Sequence, residues 1–265
     1  MQILLLFLIF HFIGDFIVQT ENHCEQKKKR LSINILHSFL YSLSILLATI
    51  WFASIWQSLL IVVSIGISHF LIDLTKIKLD KLTKNQSFKF LLFLFDQFLH
   101  IGILFFISRF FNELNSLGLS LIDTIRDFIG HDISLQRIAV IILTYIIALT
   151  PSSIFVRHFF SFINRQEMEC LDNLEAEHLS QAEKIELEKK QIEKRMGSVI
   201  GMLERLVIIT LGIMGLYTSI ALVITAKSIA RFKQLENKDF AEKYLVGTLL
   251  SLLIAILLIL LIRIF

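Results

Sequence analysis

The chain has 265 residues, 55% of them hydrophobic, with a single proline and a formal net charge of +3; its mean hydropathy is +0.72. These values exclude an ordinary soluble domain, and several windows reach the roughly 20 apolar residues needed to cross a bilayer. So small a net charge gives no footing for nucleic acid, and the chain holds no glycine-rich phosphate loop, no G-x-S-x-G and no H-E-x-x-H.

Spans are predicted near residues 1–20, 34–55, 57–78, 88–111, 136–160, 199–226 and 242–265. The first lacks the basic leader of a cleaved signal peptide and reads as a retained span. Basic stretches, "EQKKKR" and "KIKLDKLTKNQSFK", follow spans one and three, whereas "WFASIWQS" between spans two and three is uncharged. The positive-inside rule therefore puts the lysine-rich loops in the cytoplasm and the N-terminus outside, with Trp51 and Trp56 in an interfacial belt. Cys24 and Cys170 fall on the cytoplasmic side and read as free thiols.

Residues 112–135 form a polar connection whose stretch "LGLSLIDTIRDFIG" is amphipathic and suits the outer surface. Residues 161–196 are charged and free of glycine and proline, reading as a cytoplasmic helix. In it Leu171, Leu174, His178, Ala182, Ile185, Ile192 and Met196 approximate a heptad stripe, which packs on the protein's own body or mediates self-association or contact with a cytoplasmic protein. The C-terminal segments, 197–265, carry a contradiction. If 199–226 is one simple crossing, "AKSIARFKQLENK" lands outside, against the charge rule, unless a re-entrant segment intervenes. The expected fold is all-α: a polytopic membrane bundle of about seven spans with a cytoplasmic amphipathic helical insertion, whose residues 1–111 are a four-helix core.

That core carries the chemistry. Span one holds His11 and Asp15, span two His37, span three His69 and Asp73, and span four Asp96 and His100. A spacing of four puts the members of each His/Asp pair on one helical face, one turn apart. Counted from the charged ends, Asp15, His37, His69 and Asp96 lie at a common depth of about 9–11 Å, and the other three within roughly a turn of it. The order reverses from H-x-x-x-D to D-x-x-x-H on span four, as the alternating chain direction requires. An ionisable group in mid-membrane costs about 2.5–3.5 kcal/mol on insertion scales, so seven together demand compensation. A divalent cation supplies it: imidazole and carboxylate suit Zn, with Mn or Fe as alternatives. Two other readings remain, a proton or ion relay and interhelical hydrogen bonding worth about 0.6 kcal/mol per bond.

Asp15, Asp73 and Asp96 are also the candidate catalytic carboxylates, and Gln19 and Gln97 are candidates to steady the ligands. Glu204 and Arg205 read as an internal ion pair fixing helix packing, with a substrate contact as the alternative. Lys227, Arg231 and Lys233 suit either lipid headgroups or interfacial anchoring. His23, His131, His158 and His178 have no assigned role.

"HFIGDFIVQT", "ILHSFLYS", "SHFLIDLTK" and "LFDQFLHI" resemble the bacterial membrane family called domain of unknown function 3307, and "IGMLERL" with "AKSIARFKQLENKDFAEKYLVGTLLS" is similar to the C-terminal part of its longer members. The resemblance implies a multi-pass protein of the bacterial inner membrane and brings no activity with it. In pattern alone, the H-x-x-x-D helices are similar to membrane-bound metal-dependent hydrolases. The expected activity is metal-assisted hydrolysis of a lipid or lipid-linked phosphate or ester. The alternative is a non-enzymatic ion or proton transporter, or a membrane sensor with a cytoplasmic partner.

Overall fold

The computed structural model describes residues 2–19, 26–27, 30–83, 85–111, 114–129, 134–163 and 181–265. All regular structure among them is helical. In chain order come α1 (Gln2–Phe12), a π turn (Ile13–Ile17), α2 (Leu31–Thr49), α3 (Ile55–Leu82), α4 (Gln86–Ser108), α5 (Ser116–Ile129), α6 (Leu135–Ala148), α7 (Thr150–Ile163), α8 (Gln181–Ile213), α9 (Tyr217–Ala230), a 3-10 turn (Phe232–Glu236) and α10 (Lys238–Ile264). Cys24, Cys170, His23, His131, Leu171, Leu174 and His178 lie outside the described residues, so the heptad stripe is described only at its end, where Ile192 and Met196 are exposed.

By length and composition, α2, α3, α4, residues Arg195–Ile213 of α8, and α10 can each cross a membrane, with α6 and α7 together as a sixth span in two pieces. Residues Gln2–Ile17 and Tyr217–Ala230 are shorter apolar helices, so the seven-span expectation reduces to five or six. The outward faces are apolar: Leu36, Phe39, Leu43, Leu60, Phe95 and Phe98 are all exposed. The buried face of the same helices holds His37, His69, Asp73, Asp96 and His100. Apolar outside and polar inside is the partition of a protein embedded in lipid.

The chain forms two compact units, residues 1–146 with Phe265, and residues 147–264. In the first, α1 and its π turn pack on α2, which packs on α3, which packs on α4, and α4 returns to α1. Phe7, Tyr41, Ile45, Ala48, Phe52, Ile61, Ile65 and Leu104 make the apolar half of the core, with Phe7 set edge-on to Phe52 at 5.4 Å. The α2–α3 turn ends in a capping box, Ser54 with Gln57. Such reciprocal pairing satisfies backbone donors at the helix start and fixes where α3 begins. Beyond Asn115, whose side chain donates to Ile50 O at 2.7 Å and whose N–H donates to Trp51 O at 3.0 Å, α5 starts beside that same turn. Asn85 caps α4, accepting from Ser87 N–H at 2.9 Å.

In the second unit, the expected single span 199–226 is corrected to two helices. Gly215, at φ 76°, ends α8 in a Schellman motif: Leu216 N–H donates to Leu211 O at 2.9 Å and Gly215 N–H to Gly212 O at 3.2 Å. The left-handed conformation is open to glycine and reverses the chain. Thereafter α9 runs back along α8, so that Ile208 faces Val223 and Ile224 across a small polar-ended pocket, and Lys227 reaches Glu204 at 2.6 Å. The fold-back brings "AKSIARFK" back alongside Glu204 instead of carrying it on beyond Ile213. Gly212 fits against Ile259 of α10, with no room for a Cβ.

Arg205 and Glu204 do not pair with each other, contrary to the sequence expectation. Buried Arg205 donates to Ala148 O at 2.8 Å, Leu149 O at 3.3 Å, Ser153 Oγ at 2.5 Å and Ser251 Oγ at 3.2 Å. It thereby satisfies the carbonyls freed where the chain breaks between α6 and α7, at Leu149 before Pro151. A guanidinium offers five N–H donors in a planar fork, which is why one residue can serve several acceptors. Lys227, read as a headgroup ligand, is held by Glu204 and lies over the Tyr244 ring at 5.2 Å.

Candidate metal centre

The π turn and α2, α3 and α4 carry their polar residues inward, with exposed apolar residues on the outer faces of the three helices, and the turn-spaced pairs then meet inside the bundle. The π turn sets Asp15. Gly14 within it lies against Ser44 and Tyr41 of α2, where a Cβ has no space, and Ser44 Oγ donates to Phe10 O at 3.1 Å. This close approach brings the Asp15 carboxylate to α2. Single π turns within helices are frequent at functional sites.

His11, Asp15, His37, His69, Asp73, Asp96 and His100 come together, each less than a tenth exposed. His37 Nε2 lies 3.2 Å from Asp15 Oδ1, 3.1 Å from His69 Nε2 and 3.6 Å from Asp73 Oδ2. His69 Nε2 lies 3.4 Å from Asp73 Oδ2 and 3.9 Å from Asp15 Oδ1. Four ligand atoms from two helices, α2 and α3, and the π turn thus lie together. A tetrahedral cation with bonds of about 2.0–2.2 Å sets its neighbouring ligand atoms about 3.3–3.6 Å apart, close to the observed edges. Asp15, His37 and His69 offer one ligand atom each within 4.8 Å of one another, as do His69, Asp73 and His100.

The His69 ring is fixed from behind. Tyr41 stacks on it with ring centroids 3.8 Å apart and planes 9° from parallel, and the Tyr41 hydroxyl is 3.0 Å from His11 Nδ1. His100 stands beside the His69 ring at 4.4 Å. Gln97 donates to Asp15 Oδ2 and to Asp96 Oδ2, both at 3.1 Å, so it ties two carboxylates from different helices. Gln19 is half-buried beyond the end of the π turn, and no hydrogen bond joins it to the cluster among the described residues. Arg231 and Lys233 lie at the end of α9 and in the 3-10 turn, outside this unit, with Arg231 over the Phe240 ring at 5.9 Å.

Two lysines complete the electrostatics. Lys27 is buried and its ammonium contacts Asp73 Oδ2, while Lys76 contacts Asp96 Oδ2 at 2.6 Å. Three carboxylates in so dry a site need positive charge, and the lysines match two of them. Tyr41, Lys27 and Lys76 join the seven sequence-predicted residues at the site. Tyr41 stands four residues after His37 and Lys76 three after Asp73, so helical spacing marks both; Lys27, in a loop, carries no such signal.

The arrangement can bind a divalent cation, with imidazole nitrogens and carboxylate oxygens as donors. No curated protein and no solved structure matches the chain. Residues 3–129 match the family model described as protein of unknown function (DUF3307), and the part of the chain that carries the whole His/Asp cluster therefore resembles that family.

Proposed function

We propose that the cluster holds a divalent cation, zinc by its donor set, and that the protein is a metal-dependent hydrolase of a lipid or lipid-linked phosphate or ester. One observation carries the reading: His37 Nε2 and His69 Nε2 face each other at 3.1 Å with carboxylate oxygens on the same point. Two imidazole nitrogens in that relation share either one proton or one cation, and imidazole with carboxylate is the donor set of a borderline divalent cation.

Asp15, His37 and His69 would hold the cation, and Asp73, whose carboxylate lies against both imidazoles and carries the Lys27 ammonium, is kept as the base. A cation held there would supply a Lewis acid and an activated water for hydrolysis. Asp73, oriented by Lys27, would be the base that takes a proton from the attacking water. Gln97 keeps Asp15 in register. A buried site among lipid-facing helices suits a substrate that enters from the bilayer, and the expected location is a bacterial inner membrane. There the headgroups are partners for Arg231 and Lys233.

The test is metal content and turnover together. Zinc, manganese and iron are measured per protomer in the purified full chain, in His69→Ala and in Asp73→Asn, beside hydrolysis of phosphoester and lipid-ester substrates. The expected result is metal in the wild type, loss in His69→Ala, and metal without turnover in Asp73→Asn. A metal-free wild type, properly folded, overturns the reading.

A second reading is a proton or ion relay, favoured by the Lys27–Asp73 and Lys76–Asp96 pairs, which already match two of the three carboxylates. Proton or cation flux through proteoliposomes, lost in Lys76→Gln, would support it.

A further inference from the structure

Beside the Asp15–His37–His69 group lies a second set of ligand atoms that the reading above leaves idle. His100 is 3% exposed, and neither of its ring nitrogens has a hydrogen-bond partner among the described residues. The same holds for His11 Nε2 on a residue 0% exposed, and for Asp96 Oδ1 on one 3% exposed. His100 Nδ1 and Asp96 Oδ1 are 3.9 Å apart, too far for a hydrogen bond. The His11 and His100 rings are 5.7 Å apart, centroid to centroid.

Buried polar atoms are nearly always paired, so several open ones in one place call for a bound species. Here the open atoms include two imidazoles and a carboxylate oxygen, the donor types of a borderline divalent cation, with Gln97 Oε1 and His69 Nδ1 open beside them. The other nitrogen of His11 faces the Tyr41 hydroxyl, the outer hydrogen bond that holds a ligating histidine in its tautomer. The other oxygen of Asp96 meets the Lys76 ammonium, whose side chain is 31% exposed. A lysine so placed can withdraw its head to the interface when another cation takes the carboxylate.

We propose that His11, Asp96 and His100 form a second divalent-cation subsite adjoining the first, so that the cluster is a two-cation centre. This rests on the reading that the first group binds a cation. His100 offers a ligand atom within 4.8 Å of one on His69 and one on Asp73, so the subsites share a wall. A pair of adjoining cations would supply the chemistry of a phosphoester clamp, holding the attacking and leaving oxygens together. A phosphate ester is accordingly the substrate class favoured over a carboxylic ester.

The experiment titrates Co2+ into the full chain, stripped with chelator and held in detergent, and counts tightly bound cobalt. Wild type is expected to bind two per protomer, and His100→Ala and Asp96→Asn one each. In a parallel sample loaded with Mn2+, the paramagnetic resonance spectrum should be that of a coupled pair in wild type and of an isolated ion in Asp96→Asn. Size-exclusion profiles identify any variant that does not fold, and the wild-type stoichiometry decides the matter without them. One cobalt per protomer with an isolated-ion spectrum overturns the second subsite and leaves the first intact. No cobalt at all overturns both.

Discussion

Tyr41 lies flat against His69, 3.8 Å between ring centroids, while its hydroxyl reaches His11 at 3.0 Å. One side chain of α2 thus steadies an imidazole of α3 and another of α1. Tyr41→Phe keeps the stack and removes the hydrogen bond, and should weaken metal affinity about tenfold, the low end for an outer-shell partner. Tyr41→Ala also leaves a cavity and should cost about 3–5 kcal/mol of stability. Metal affinity and thermal unfolding, measured on both, separate the two contributions; equal loss of stability in both variants contradicts the division.

Gly14 lets α1 approach α2, and a Cβ there meets Ser44 Oγ first. Gly14→Ala should destabilise the bundle by about 1–3 kcal/mol, as overpacking does, and displace Asp15. Because the obstructing atom is a hydroxyl, adding Ser44→Ala should recover part of the loss. Thermal unfolding of the single and double variants tests this, and a double variant less stable than Gly14→Ala contradicts it.

Glu204 and Lys227 are joined at 2.6 Å, both mostly buried between α8 and α9. Glu204→Gln or Lys227→Met alone leaves a lone charge and should cost about 3 kcal/mol, whereas the double variant should lose much less. A double-mutant cycle by unfolding in detergent measures the coupling. Additive losses would show that the two act independently.

The fold-back at Gly215 also fixes an expectation for topology. Cysteines placed at Arg195 and Lys233 should label from the same side of the membrane, because α9 reverses the direction of α8. Cysteines at Asn85 and Ser54 should label from opposite sides, with Asn85 cytoplasmic. Labelling of Arg195 and Lys233 positions from opposite faces would mean that α8 and α9 form one crossing.

Much of the site was legible because two periodicities coincide. Turn-spaced His/Asp pairs and alternating span direction are both written in the residues, and they bring His11 to His100 together without tertiary information. The helix breaks were harder. Gly215 reads as any glycine in an apolar run, since its positive φ is a property of the folded turn. The π turn at Ile13–Ile17 leaves the i, i+4 pattern of His11 and Asp15 unaltered on paper. The Glu204–Arg205 pairing failed for a physical reason: adjacent residues on a helix point about 100° apart, so each found a partner on another helix. Arg205 went to the carbonyls at the α6–α7 break, which no local pattern announces.

The central claim is that imidazoles from different helices and carboxylates share a cation. X-ray absorption at the metal edge of the zinc-loaded full chain tests it most directly. The account expects nitrogen and oxygen neighbours at about 2.0–2.1 Å with the outer-shell scattering of imidazole rings, and a reduced imidazole contribution in His37→Ala. A bound metal whose spectrum carries no imidazole scattering, or one unchanged by His37→Ala, would contradict it.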